Sequence, residues 1–547
     1  MAGRTHTVTN QAPPLTGYDV FTSDRALTEA VRRHLPADLR EEALAELSGT
    51  GRAGGALQTQ EWSGQADGNP PVLRTHDRFG HRVDEVDFHP AWHRLLGKGV
   101  SAGLTDAWSR PGGHVRRAAG FVVWTQVEAG TCGPLSTTHA AVPALHADPG
   151  LAAEWVPRLT SRVYDRELRP ARLKAGVLFG TGLTEKQGGS DVRATTTVAR
   201  ALAEDGTYEL TGHKWFCSAP MSDGFLVLAR APGGLTCFLV PRVLADGTRN
   251  VFLIQRLKDT LGDRSNACAE VEFAGTWARR VGEEGRGPAV LTGTVAAARF
   301  DRVLGSAGLM RQAVARAVHH CAYREVSGGM LVDRPLMRNV LADLAVESEA
   351  ATTLGLRLAA AHDAAEGGDE REAALLRLAV PAAKYWVTKR CAPVALEAAE
   401  CLGGDGYVEE SGMPRLVRES PLPSFGEGAA NVQALDVLRT LGREPAVLDA
   451  YLTEVGLARG ADHRLDAAIR ELLTELADLA AAEGRARLLA ERLALVLQGA
   501  LLVRYAPPEV ADAFCASRLG GDGGTAFGTL PPSLDLASVV RRARPEV

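Results

Sequence analysis

Between about residues 180 and 288 the chain leaves helical spacing for a series of short β-rich runs, and this interval constrains everything on either side of it. The runs are "ATTTVARAL", "YELTGHKWFCS", "GFLVLARA", "LTCFLVPR", "VFLIQRL" and "ACAEVEF". Turn signals separate them at Asp205-Gly206, Pro232-Gly233-Gly234, Asp246-Gly247 and Gly262-Asp263. Short strands at such spacing predict an antiparallel barrel or sandwich. The flanks are helical. Residues 88–175 carry "FHPAWHRLLGKGVSAGL", "RRAAGFVVWTQVEAG" and "STTHAAVPALHAD". After about residue 290 come three long helical runs that can pack as an antiparallel bundle, with Pro381 and Pro393 expected to kink or interrupt the third. From about residue 443 two more helical stretches follow, "DHRLDAAIRELLTELADLAAA" and "ARLLAERLALVLQGALLVRY", and then a glycine-rich segment, "GGDGGTAFGTLPP", expected to be a flexible loop. Residues 1–80 read as irregular around one helical stretch near 24–47.

The chain has 547 residues, 45% of them hydrophobic, and a mean hydropathy near zero, enough apolar mass for a large core. A net charge of −5 argues against a generally basic surface for nucleic acid or anionic membrane. No apolar run reaches the roughly 20 residues of a membrane helix. The first residues lack the apolar stretch of a signal peptide, so a cytoplasmic protein is expected. None of the 8 cysteines has CxxC spacing, and in a cytosolic chain they read as small buried apolar residues. His89 and His93 lie four apart in "HPAWH", but Pro90 between them and the missing acidic motif leave no metal expected.

Three stretches carry chemistry. In "PSFGEGAANVQALDVLR" one carboxylate, Glu427, sits between Gly426 and Gly428 just before a helical pattern; alone, it could be a first-turn acid. "GTGLTEKQGGSDV", residues 180–192, is dense in small residues that let backbone approach a ligand. It could equally be an ordinary domain-junction loop. In "GHKWFCSAP", residues 212–220, Trp215 and Phe216 alternate on a strand, so one could face the core and the other a flat ligand.

Together these stretches resemble the acyl-CoA dehydrogenases: "LTEKQGGSDV" is similar to their T-E-x-x-x-G-S-D signature, "GHKWFCS" to the strand against the flavin, and "ECLGGDGYVEE" with "GEGAANVQALDVLR" to their C-terminal motifs. "THTVTNQAPPL", "QVEAGTCGP", "RLKDTLGDRSNA" and the helical appendix are similar to the AidB-like subfamily, flavoproteins linked to the adaptive response to DNA alkylation. The resemblance implies a mainly α fold with a central β-barrel. The expected parts are an N-terminal extension and α-helical domain (1–180), the barrel (181–288), a four-helix bundle (289–442) and an added helical domain (443–547). It implies FAD, an acyl thioester substrate and a homotetramer or dimer. It makes Glu427 the base that removes an α-proton while hydride leaves the β-carbon for the flavin; desolvation would raise its pKa in the closed complex against the pull of the helix N-terminus. It implies flavin contacts from Gly182, Leu183, Thr184, Gly189, Ser190, Phe216 and Ser218, with Phe216 in place of a ring-covering Trp. Arg324 would reach the pyrophosphate of a neighbouring subunit's FAD, and Gly403 and Gly404 would pass close to it. Ala429 and Asn431 stand where the family has a flavin-contacting hydroxyl residue and a Gln, and Arg299 and Gly428 lie toward substrate.

The chain also departs from the family pattern. Ser327 replaces an aromatic residue after Arg324, and Gly426 replaces one before Glu427, which should widen the acyl pocket. The subfamily implies duplex DNA as a partner, and an alternative function as a DNA-binding flavoprotein with vestigial dehydrogenase activity. From Arg443 onward, however, 12 Arg and no Lys stand against 15 Asp plus Glu. Arg485, Arg487 and Arg492 cluster there, as do Arg541, Arg542 and Arg544.

Overall fold

The computed structural model describes residues 5–203, 205–478 and 482–546. The chain forms two compact units. One contains Glu61–Asp301 and Gly426–Gly428; the other contains the chain up to Gln60, Arg302–Phe425, and the chain from Ala429 onward.

In the first unit nine strands are described: β1 (Val72–His76), β2 (Arg82–Asp87), β3 (Phe179–Gly182), β4 (Val198–Ala201), β5 (Thr207–Ser218), β6 (Gly224–Ala231), β7 (Gly234–Pro241), β8 (Leu253–Leu257) and β9 (Cys268–Val281). β1 and β2 form a separate antiparallel hairpin. The larger sheet runs β3-β6-β4-β5-β9-β7, and β7 pairs again with β6, so the sheet closes on itself. Closure leaves few open edges. Almost every residue of β6 is buried, which is why "GFLVLARA" reads as a continuous apolar run instead of an alternation. Helices Cys132–Leu145 and Pro149–Leu159 cover one side, where Leu145, Leu151 and Trp155 share a core with Phe179, Leu226 and Leu239.

The sheet departs from the sequence reading in one respect. Two strands pair with β6 in parallel: β3, from Phe179 opposite Gly224 to Gly182 opposite Val227, and β4 at Val198 opposite Arg230. The expectation of an antiparallel sheet, and of a loop through Gly182, is corrected here. β3 enters from the preceding helical region and not through a hairpin, so no tight turn constrains its direction.

The N-terminal region is also more regular than its composition suggests. Helices Arg25–His34, Ala37–Gly55 and Leu57–Gly68 fill it. The glycines of "GTGRAGG" are there for close packing: a Cβ on Gly55 would lie 1.8 Å from the Tyr18 carbonyl oxygen. Composition therefore mimics a loop where the chain is helical.

In the second unit, Pro335–Glu366 and Glu370–Glu400 are antiparallel neighbours, with Ala430–Arg443, Pro445–Gly456 and Ala486–Tyr505 against the latter. Pro381 and Pro393 do not interrupt Glu370–Glu400. Each proline removes one hydrogen bond, but Leu378, Pro381, Ala382 and Tyr385 are buried among neighbouring helices, and packing outweighs the loss. The Arg357 guanidinium joins Glu372 and Glu454, at 2.8 and 2.7 Å, and so ties the appended helices to the bundle. The segment 520–532 is irregular as expected but tethered: the Gly528 N–H donates to Asp343 and the Leu530 N–H to Asn339. The expected helix over residues 462–482 is seen as His463–Leu476, with residues 479–481 outside the described residues. No helix among the described residues is long and apolar enough to cross a membrane.

His89 caps the helix Pro90–Ser101 by accepting the Ala91 N–H, and His93 bonds the Tyr164 hydroxyl at 2.7 Å. Burial pushes the His93 imidazole down to about 4, so it is neutral near pH 7. The helix Gly113–Val127 is buried along its whole length. It is held by a bidentate pair, Arg117 to both Asp301 oxygens at 2.6 and 2.7 Å, with both side chains under 4% exposed. Removing one partner strands a buried charge. Asp301→Ala is expected to lower unfolding free energy by about 3–5 kcal/mol, measured by urea denaturation, with Arg117→Met/Asp301→Leu losing much less.

Candidate functional site

β5 and the loop that precedes β4 are fastened by one buried ion pair. Lys214, on β5, donates to Glu185 at 2.7 Å, and the two side chains are 0% and 1% exposed. Glu185 also accepts from the Thr197 hydroxyl at 2.6 Å, the Thr196 hydroxyl at 2.8 Å and both of their backbone N–H groups. Burial works against a charge on Glu185, but Lys214, Thr197 and the Thr196 N–H together override it and hold the carboxyl far below its ordinary range. The same burial lowers Lys214, with Glu185 restoring part of the loss.

Around this anchor the loop is in register with the strand. The Trp215 N–H donates to the Thr184 carbonyl at 2.8 Å and the Lys186 N–H to His213 at 3.0 Å. Gly182 ends β3, and half-buried Leu183 and Thr184 follow it. Gly189 folds back over Thr184 so closely that a Cβ would meet its hydroxyl at 2.9 Å. Ser190 is exposed.

The end of β5 presents aromatic surface. A bulge between Lys214 and Cys217 breaks the alternation of the strand. Lys214 and Cys217 are buried, Trp215 is half-buried and Phe216 is 49% exposed, so the expectation that one of the two rings faces the core is corrected by the bulge. The Lys258 ammonium lies 3.4 Å from the Trp215 ring centre and 4.6 Å from that of Phe216, and is held by Glu270 at 2.8 Å.

Beyond Phe216, Ser218 accepts from the Asn266 amide at 3.0 Å. The Asn266 carbonyl oxygen is buried and has no hydrogen-bond partner among the described residues. Glu128 takes the Gly130 and Thr131 N–H groups and the Ser265 hydroxyl, joining the helix Cys132–Leu145 to the segment that bears Asn266. A half-exposed ring face two residues from a half-buried hydroxyl suits a flat heteroaromatic group with a polar edge. Glu185, Lys258, Asn266 and Glu128 were not singled out from sequence, although all four lie in or beside the stretches quoted above.

Glu427 belongs to the same unit. Its backbone is left-handed, with φ +56°, and Gly428 follows at +92°. Arg299, on the helix Thr292–Tyr323, donates from Nε to the Glu427 carbonyl at 3.1 Å, so it is no exposed helix residue but a clamp on this turn. The Glu427 side chain is half-buried, and the helix that follows has Ala429 as its N-cap.

The remaining expected residues lie in the second unit. Arg324 follows the helix Thr292–Tyr323 and donates to the Asn10 carbonyl at 2.6 Å; Asn10 in turn bonds both backbone groups of Glu325. Gly403 (φ +62°) and Gly404 open the short turn Gly403–Tyr407, and a Cβ on either would meet nothing within 4 Å. Ala429 and Asn431 are exposed. The C-terminal arginines are widely engaged: Arg542 with Glu29 and Glu349, Arg492 with Glu475, and Arg487 over the Tyr385 ring.

Residues 10–166 match the adaptive response protein AidB N-terminal domain, residues 180–276 the acyl-CoA dehydrogenase middle domain, and residues 285–442 the acyl-CoA dehydrogenase C-terminal domain. The putative acyl-CoA dehydrogenase AidB of Escherichia coli is 43% identical over 529 residues, 96% of each chain. Among solved structures, Caenorhabditis elegans ACDH-11 in complex with C11-CoA superposes with a TM-score of 0.86 at 27% identity, over 95% of each chain. An acyl-CoA dehydrogenase of Bacillus anthracis complexed with FAD shares the fold, with a TM-score of 0.67 at 16% identity over 93% of this chain and 87% of that one.

Glu185→Gln keeps the shape but leaves Lys214 as an uncompensated buried charge. It is expected to cost about 3–5 kcal/mol and to free the loop, seen as a lower melting temperature and faster tryptic cleavage after Lys186; Glu185→Gln/Lys214→Met should recover part of the loss.

Proposed function

The chain belongs to the acyl-CoA dehydrogenase family, in its AidB-like branch, and on that premise we propose that it oxidises an acyl thioester at its α,β carbon pair with FAD as cofactor. The observation that carries this reading is the placing of Glu427: a carboxylate on a left-handed residue between two glycines, its carbonyl clamped by Arg299, in the same unit as the aromatic end of β5. FAD supplies a hydride acceptor when bound. Gly182, Leu183, Thr184, Gly189, Ser190, Phe216 and Ser218 would hold its ring system, a role supported by the half-exposed Phe216 face and by the exposed loop around Gly189 and Ser190.

Glu427 takes the α-proton of the thioester. The small residues beside it leave room for substrate, and Arg299 fixes the turn, so the carboxylate needs little reordering to reach the proton. Arg299 is thus a positioning residue, and Gly428 lines the approach. Gly426, where the family has an aromatic ring, favours a broader acyl group. C11-CoA in the C. elegans relative supports a CoA thioester as the substrate class.

Arg324, Gly403, Gly404, Ala429 and Asn431 complete the cofactor set, Arg324 through the pyrophosphate of a neighbouring copy's FAD, which makes the working form a homotetramer or dimer. A planar guanidinium suits a diphosphate, and the open turn at Gly403–Gly404 supports a close backbone approach there. The working division remains the helical N-terminal part to 180, the barrel over 181–288, the bundle over 289–442 and the appended helices from 443.

Purified protein is expected to be yellow and to bleach under anaerobic conditions with a member of a saturated acyl-CoA panel. Glu427→Gln should keep the colour and slow bleaching at least about a hundredfold. Bleaching at the wild-type rate in this variant would remove Glu427 from the chemistry.

A further inference from the structure

Lys258 directly follows β8, and its backbone N–H donates to the Cys268 carbonyl of β9 at 2.8 Å, so its side chain starts from a fixed point of the barrel wall. Only 10% of that side chain meets solvent. Its Nζ stands 3.4 Å from the centre of the Trp215 ring and 4.6 Å from that of Phe216. Both distances are within cation–π range, and Phe216 is the ring left half-exposed at the end of β5.

An ion pair alone would make Lys258 a strap between β8 and β9. Its carboxylate partner is shared, however: Lys258 Nζ and Arg256 Nε both reach Oε1 of Glu270, each at 2.8 Å. Two cations against one carboxylate leave one positive charge. Of the three groups, Lys258 is the one that touches the aromatic rings. Lys186, which is exposed, adds a second ammonium 5.5 Å from the Trp215 ring centre, and Glu185 in the same loop is matched by Lys214.

Hydride from a substrate β-carbon brings two electrons and one proton to a neutral flavin ring and leaves it with one negative charge. A cation close by and poorly exposed to water stabilises that product more than the neutral ring, and so raises the reduction potential.

We propose that Lys258, acting through the Trp215 and Phe216 rings, sets the reduction potential of the bound flavin in favour of the reduced form. Lys258 is thus a positioning residue of charge. Its role rests on Phe216 covering the flavin ring, as proposed above, and not on Glu427.

The test is the two-electron midpoint potential of the FAD-loaded full chain, measured by slow reduction with xanthine and xanthine oxidase against a reference dye, with no acyl-CoA present. Lys258→Met keeps an unbranched chain on the rings and removes the charge, while Arg256 still pairs Glu270. It should favour the oxidised flavin at least about tenfold relative to wild type, a fall of about 30 mV for a two-electron couple. Lys258→Arg keeps the charge and should bring the ratio back to within about threefold of wild type. Lys186→Met removes an exposed, screened charge and should change the ratio less than about twofold. Glu270→Gln removes the opposing charge and should shift the ratio toward the reduced form. A wild-type potential in yellow Lys258→Met, an Arg variant no nearer to wild type than the Met variant, or an equal fall in Lys186→Met overturns the proposal and leaves the flavin reading standing. If Lys258→Met loses its flavin, Glu270→Gln decides: an upward shift supports the proposal and no shift overturns it. Wild-type protein that stays colourless after incubation with FAD overturns both.

Discussion

The candidate site depends on a charged pair with almost no access to water. Glu185 and Lys214 join a loop to a strand in the middle of a barrel wall, and each is tolerable there only because the other is present. The pair sets where Leu183 and Thr184 lie relative to Trp215, and the bulge after Lys214 then turns both aromatic rings out of the core. The ring face, the loop hydroxyls and the Ser218–Asn266 contact are therefore one rigid piece. A hydrophobic pair would cost less to bury, but it would not offer the Thr196 and Thr197 donors an acceptor.

Glu427 is held by different means. No strand or helix contains it; a left-handed backbone does, flanked by glycines and braced by Arg299 on its carbonyl. A left-handed non-glycine residue costs roughly 1–2 kcal/mol, and such strain persists where neighbours fix it. The arrangement answers why a lone acid lies between two glycines before a helix. The turn carries the acid, and Arg299 holds the turn.

Much of this was legible in the sequence, for physical reasons. The six β-rich runs became β4 to β9 because turn residues marked their ends, and the long helices after residue 290 followed from apolar periodicity. The parallel β3 and the glycine-packed N-terminal helices were not legible, because partner direction and close approach are tertiary facts. The alternative of an interruption at the two interior prolines fails for the same reason: packing holds the helix through them. Within the site, Glu427, Phe216 and Ser218 came from motif resemblance, while Glu185, Lys258 and Asn266 needed coordinates. Their roles rest on partners 12 to 48 positions away in sequence or brought near by a bulge, which no spacing rule records. The arginine clusters at the C-terminus read as candidate phosphate contacts, but Arg542 and Arg492 meet carboxylates of the chain itself.

The most direct test of the account is hydrogen exchange at the thioester α-carbon. Yellow protein in deuterium oxide, mixed with a saturated acyl-CoA in the absence of oxygen, should place deuterium at Cα of recovered thioester, followed by NMR, and Glu427→Gln should suppress that label by about two orders of magnitude or more. Equal labelling by the Glu427 variant, or none by yellow wild-type protein with any acyl-CoA that bleaches it, would contradict the assignment of this carboxylate as the base.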